Sequence, residues 1–140
     1  ASSGVKAMKM VMDRVNTFPN PPIVLAVTAL TSFDNASFEA IYHASIAQKA
    51  VDFAKDAYAS GLHGVVCSVY ESLDIKAYTA PSFLTLTPGI RPFGESSDDQ
   101  ERVADLETAK AERSDFIVVG RPIYHSVDPL GVVKKIIETI

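Results

Sequence analysis

Apolar residues gather into four short, nearly continuous runs, at positions 23–27 (IVLAV), 64–69 (GVVCSV), 83–87 (FLTLT) and 116–120 (FIVVG). They are rich in β-branched side chains and do not alternate with polar ones, a pattern that predicts parallel strands buried on both faces. Around these runs the apolar period lengthens. From Val5 onward Met8, Met12 and Val15 recur every three or four residues and stop before Pro19, which predicts a helix leading into the first strand.

Ser45-Ile46-Ala47-Gln48 has the form of a capping box, with Ala50, Phe53, Ala54 and Ala57 as the buried face of the helix that follows and Gly61 as its stop. Further helices are predicted over 71–78, ended by Pro81, and over 106–112 with Asp105 as cap. The last begins at Asp128-Pro129 and is expected to bury Val133, Ile136, Ile137 and Ile140. A helix followed by four strand–helix units implies an α/β fold with a parallel sheet, whose functional loops follow the C-terminal ends of the strands. No G-x-G-x-x-G follows any strand, which argues against a dinucleotide site and favours half of a barrel over a small open sheet. We find no repeat, low-complexity tract or linker, so residues 1–140 are taken as one unit.

Composition narrows the partners. The chain has 140 residues, 47% of them hydrophobic and 21% charged, with a mean hydropathy of +0.13, which suits a packed core and not a disordered segment. The net charge is −4 and the basic residues are scattered, so a nucleic-acid partner is not expected. The single cysteine, Cys67, cannot form an internal disulfide, and no apolar run approaches the roughly 20 residues that span a bilayer. A cytoplasmic protein with no membrane partner is the expectation. The opening Ala1-Ser2-Ser3-Gly4 carries neither an initiator Met nor a secretion-signal pattern, and the chain is expected to start inside a longer parent.

Chemistry is expected at the strand ends. Thr28-Ala29-Leu30-Thr31-Ser32 follows the first strand; its hydroxyls can bond a polar ring, although threonines there also commonly cap the next segment. Thr87-Pro88-Gly89-Ile90-Arg91 follows the third strand, with Asp98-Asp99-Gln100 downstream. Arginine presents a donor fork suited to phosphate or carboxylate, so Arg91 fits an anion site or a structural salt bridge. Gly120-Arg121-Pro122 follows the fourth strand, where a glycine lets backbone amides approach an oxyanion and an arginine adds charge. Barrel enzymes often hold phosphate at the loops after their last two strands, and in that setting Arg91 and Arg121 would serve one anion.

Other polar residues fit bland roles. His43, His63 and His125 have no catalytic or metal-binding spacing, Cys67 reads as a small buried hydrophobe, and Asp98 with Asp99 reads as turn capping. No metal site is expected.

The segments LAVTALTSFD, GVVCSVYES, LTLTPGIRPFGESSDDQERV and SDFIVVGRPIYHSVDP resemble consecutive parts of the bacterial orotidine 5′-phosphate decarboxylase family, and Ala1 to Gly4 resembles the end of its fourth-strand motif. The resemblance implies a (β/α)8 TIM barrel, with this chain as its C-terminal half, strands five to eight. It implies decarboxylation of orotidine 5′-monophosphate to UMP in pyrimidine biosynthesis, without metal or organic cofactor. Carried over, Thr31 contacts the pyrimidine, Arg91 and Gln100 the loop side of the substrate, and Gly120 with Arg121 the phosphate. It also implies a homodimer whose sites borrow an aspartate from the neighbouring subunit.

The catalytic Asp-x-Lys-x-x-Asp of that family occurs nowhere in the 140 residues. This chain alone is therefore expected to be inactive, with the N-terminal half of the barrel, or a second copy, covering its sheet edges and inner face. The alternatives are another phosphate-binding barrel enzyme, such as a ribulose-phosphate epimerase or keto-gulonate-phosphate decarboxylase, and a non-catalytic half-barrel module that binds phosphate or drives assembly.

Overall fold

A computed structural model describes residues 1–95 and 100–140. Eleven elements are found among them: α1 (Val5–Val15), β1 (Leu25–Val27), α2 (Asn35–Tyr42), α3 (Ile46–Ala59), β2 (Gly64–Val66), α4 (Val69–Tyr78), β3 (Leu84–Thr87), α5 (Leu106–Ala111), β4 (Phe116–Ile117), α6 (Arg121–Tyr124) and α7 (Pro129–Thr139). The strands form one parallel sheet in the order β1-β2-β3-β4. Each strand thus lies beside its neighbour in sequence, as in a segment of a barrel wall.

The register separates the two faces. Ala26, Val65 and Thr85 are paired across β1, β2 and β3, and all three are buried on the side where α1, α3 and α4 pack. The next row, Val27, Val66, Leu86 and Phe116, lies on the opposite face, where Val27 is 44% and Phe116 49% exposed. Among the described residues the strands are therefore packed by helices on one face only, and the other, apolar face is left partly open.

Gly64 lets β2 and β3 come together. A Cβ at this position would stand 2.2 Å from the Leu84 carbonyl oxygen, so only glycine fits. The main cluster behind the sheet joins Met8 and Met12 of α1, Val51, Ala54 and Ala57 of α3, Val65, Cys67 and Ile75. A second joins Val69, Ile90, Ala104, Leu106, Ala109 and Ile136.

Several element boundaries differ from the sequence expectation. Strand β2 stops at Val66 because the Glu71 carboxylate accepts the Ser68 amide at 2.9 Å and starts α4 at Val69. Strand β4 stops at Ile117, and Gly120 opens the short helix α6, which the sequence pattern does not predict. Helix α2 is likewise absent from the expectation; Asp34 caps it by accepting the Ser37 amide at 2.7 Å. The box expected at Ser45 is only half made. The Ser45 hydroxyl accepts the Gln48 amide, but the Gln48 side chain turns forward to Asp52. Asp105 and Asp128 cap α5 and α7 as expected. Gly61 closes α3 at φ +81°, with the Leu62 amide reaching back to the Ala57 carbonyl. In α7 only Ile136 is fully buried, whereas Ile137 and Ile140 are 65% and 63% exposed, because one narrow stripe of the helix meets the second cluster. No described helix is long and apolar enough to cross a membrane.

Candidate functional site

The C-terminal ends of β1, β2 and β3 carry loops that interlock. After β1, Thr28 extends the ladder: both its amide and its hydroxyl donate to the Val66 carbonyl at 3.0 Å, so the hydroxyl is spent on β2 and not on capping the segment that follows. Three residues on, Thr31 is buried and its hydroxyl donates to the Gln100 side-chain carbonyl. Its own carbonyl accepts the amides of Glu101 and Arg102 at 3.2 and 3.3 Å. Two residues far apart in sequence are thereby brought together.

The loop after β3 is anchored at its base. Ile90 bridges Ala104, both lie in the second cluster, and the Arg91 amide donates to the Ala104 carbonyl at 2.8 Å. The Tyr70 hydroxyl of α4 donates to the Val103 carbonyl at 2.9 Å. Gly89 adopts φ +82°, and a Cβ there would lie 2.9 Å from the Arg102 carbonyl oxygen. Both backbone angle and space require glycine at that point. Arg91 is only 6% exposed, and its Nη1 donates to the Ile90 carbonyl at 3.2 Å.

Arg121 begins α6 on the neighbouring loop after β4. A Cβ on Gly120 would make an ordinary contact 3.6 Å from the Tyr124 ring, and the φ of −106° is accessible to any residue. Neither packing nor backbone angle therefore demands glycine at 120. Asp98 and Asp99, the other polar residues singled out on the β3 loop, lie outside the described residues.

Sequence reasoning missed the ion pair that knits these loops. Glu71 and Arg102 pair through Oε1 and Nη1, and Arg102 Nη2 donates to the carbonyls of Ala29 and Leu30 at 3.3 and 3.1 Å. Burial pushes the Glu71 carboxyl above its ordinary range, opposed by the Arg102 charge and the Ser68 amide. A signal was available: Ser68-x-x-Glu71 has the capping form, hidden inside a run that reads as strand.

At the opposite, N-terminal ends of the strands a second polar cluster occurs. Lys76 Nζ lies 2.6 Å from Asp115 Oδ2 and also donates to the carbonyls of Phe83 and Pro81. Asp115 accepts the Thr85 amide and hydroxyl at 2.8 and 3.2 Å. Burial opposes its ionisation, but Lys76 and Thr85 together hold the carboxyl below the usual range.

The remaining titratable candidates have structural environments. His63 Nδ1 accepts the Val24 amide at 3.0 Å, His43 ends α2 at φ +53°, and His125 meets the Tyr124 ring edge-on. Burial raises the Cys67 thiol well above its ordinary value, which suits a small hydrophobe and not a nucleophile. No group of three or more His, Cys, Asp or Glu residues able to hold a metal occurs among the described residues.

Comparison with known proteins gives a consistent picture. The family model described as Orotidine 5′-phosphate decarboxylase / HUMPS family matches residues 1–136. The orotidine 5′-phosphate decarboxylases of a Nitratiruptor species and of Campylobacter fetus subsp. fetus are each 60% identical over 140 residues. The match takes in 100% of this chain and 62% of each relative, so the chain spans under two thirds of their length. The crystal structure of orotidine 5′-phosphate decarboxylase from Lactobacillus acidophilus superposes with a TM-score of 0.78 at 32% identity, over 96% of this chain and 58% of that one.

Proposed function

Since the chain belongs to the orotidine 5′-phosphate decarboxylase / HUMPS family, we propose that it supplies the base-binding and phosphate-binding loops of a barrel that converts orotidine 5′-monophosphate to UMP and carbon dioxide. The observation that carries this reading is the contact between Thr31 and Gln100 at the mouth of the sheet, which places two amphoteric side chains together where a pyrimidine edge needs both donors and acceptors. Arg121 and Gly120, on the loop after β4, hold the phosphate, and Arg91 on the adjacent loop adds positive charge.

In the reaction the bond from C6 to the carboxylate breaks, its electron pair stays on C6, carbon dioxide leaves and a proton arrives at C6. Thr31 and Gln100 orient the ring, while the arginine loops fix the phosphate far from the reacting carbon, so that binding energy from the remote end positions the base. The proton source belongs to an Asp-x-Lys-x-x-Asp segment, which these 140 residues do not contain. We place that segment on the N-terminal part of the barrel, which also covers the open row Val27, Val66, Leu86 and Phe116. The assembled protein is a cytoplasmic homodimer in this reading.

The test is a completed barrel, made by joining the N-terminal portion of the Nitratiruptor relative ahead of Ala1. Turnover of orotidine 5′-monophosphate by that protein, and none by residues 1–140, is the expected result. Tight UMP binding without turnover would instead favour a non-catalytic binding module, and binding of neither nucleotide would remove the proposal.

A further inference from the structure

We propose that Glu71 and Arg102 are a positioning pair that sets Thr31 against Gln100 and so fixes the base end of the site; the inference rests on the functional reading above. Three loops meet at one side chain. Arg102 pairs with Glu71 at the start of α4, after β2, and donates to the carbonyls of Ala29 and Leu30, after β1. Its backbone belongs to the loop after β3, where its amide and that of Glu101 hold the Thr31 carbonyl. The guanidinium thus grips the two carbonyls immediately before Thr31, from a backbone position two residues beyond Gln100. A displacement of Arg102 shifts both partners of the Thr31–Gln100 contact.

The energetics favour this role over a purely stabilising one. Both Glu71 oxygens are used, one by Arg102 and one by the Ser68 amide. Arg102 Nε, however, is buried without a hydrogen-bond partner among the described residues. A buried pair with an unsatisfied donor adds little net stability compared with apolar side chains of similar size. What it does supply is direction, because a planar fork can address three separate acceptors in fixed geometry. Beneath it, Gly89 allows the Arg102 carbonyl to approach the start of the same loop, so the backbone that bears the fork is itself closely packed.

The test uses the completed barrel with Arg102→Met, Glu71→Gln and Arg102→Lys, titrated with UMP and with ribose 5-phosphate, which has the phosphate but no base. The expected result for Arg102→Met and Glu71→Gln is a loss of UMP affinity of about tenfold with ribose 5-phosphate affinity unchanged. Arg102→Lys should recover part of the loss. The double variant of Arg102→Met with Thr31→Val should lose about as much affinity as Arg102→Met alone, far less than the product of the two single losses, since both act through one contact. Equal losses for the two ligands, or unchanged UMP affinity in both single variants, would overturn the proposal. If the unmutated barrel binds no UMP, the functional reading fails by itself, and the pair is then judged by amide hydrogen exchange. Faster exchange in Arg102→Met at both 29–31 and 100–102 supports the positioning role, and unchanged exchange at 29–31 refutes it.

Discussion

Helix α4 contributes to an ion pair at each end of the sheet: Lys76 meets the partly exposed Asp115 beside the N-terminal ends of β3 and β4, and Glu71 meets Arg102 beside the C-terminal ends of β1 to β3. In the first pair the lysine has three acceptors for its three N–H groups, and the aspartate is bonded to its cation and to Thr85. In the second pair Arg102 Nε is a buried donor with no partner among the described residues, and burial pushes the carboxylate toward its neutral form. One cluster is satisfied and ties a helix to the strands beside it. The other accepts a worse local balance in order to hold three loops in register. The difference matches the division seen in barrel folds, where the N-terminal face of the sheet serves stability and the C-terminal face serves function.

Mutations in the completed barrel can break this comparison. The largest effect should come from Lys76→Met, which strands Asp115 and should lower the unfolding free energy in urea by about 3 kcal/mol, with UMP affinity of the folded protein unchanged. A loss of affinity without a loss of stability would reverse the assignment of the two ends. Arg121→Ala should do the opposite, weakening UMP binding by about 2 kcal/mol in calorimetry while the urea midpoint stays in place; equal affinity in mutant and parent would remove the phosphate role. Thr31→Val should cost about 1 kcal/mol of UMP binding and nothing for ribose 5-phosphate. Unchanged discrimination between those ligands would count against Thr31 as a base contact.

The smallest effect is in the pH dependence of stability, and the two carboxylates should give opposite signs. Asp115 titrates lower in the folded state than its ordinary value of about 3.9. Its contribution is therefore complete above that value and is lost as pH falls through the lower folded value. Glu71 titrates higher when folded than its ordinary value of about 4.3, so stability declines as pH rises from that value toward the raised one. Urea melts across an acid pH series should lose the first dependence in Lys76→Met and the second in Glu71→Gln.

What was legible in the sequence follows from how local the signal is. The β-branched runs revealed all four strands, and Met8 with Met12, or Ala50 with Ala54 and Ala57, revealed buried helix faces, because each pattern repeats within a few residues. Element ends were less legible. Val69 is as apolar in a strand as in a helix, so the run across 64–69 hid the cap that starts α4. Short α2, with only Phe38 buried, offered no stripe to recognise. Ile137 and Ile140 show that apolar identity does not say which side of a helix finds a partner. For the site, Thr31 and Gln100 were named through family resemblance, and their meeting across 69 positions leaves no periodic trace. Arg102 and Glu71 stood in the quoted segments without a role, since a bond between loops is invisible until the loops are placed.

The order of the sheet also bears on how the protein is made. Each of β2, β3 and β4 pairs with the strand synthesised just before it, so a growing chain can extend the wall at one edge without parting strands already joined. Each addition closes only the loop of its own crossover, which limits the entropy spent per step. The most recently added strand always presents the unpaired edge during synthesis, and the short, two-residue β4 offers little backbone for a stray chain to recruit.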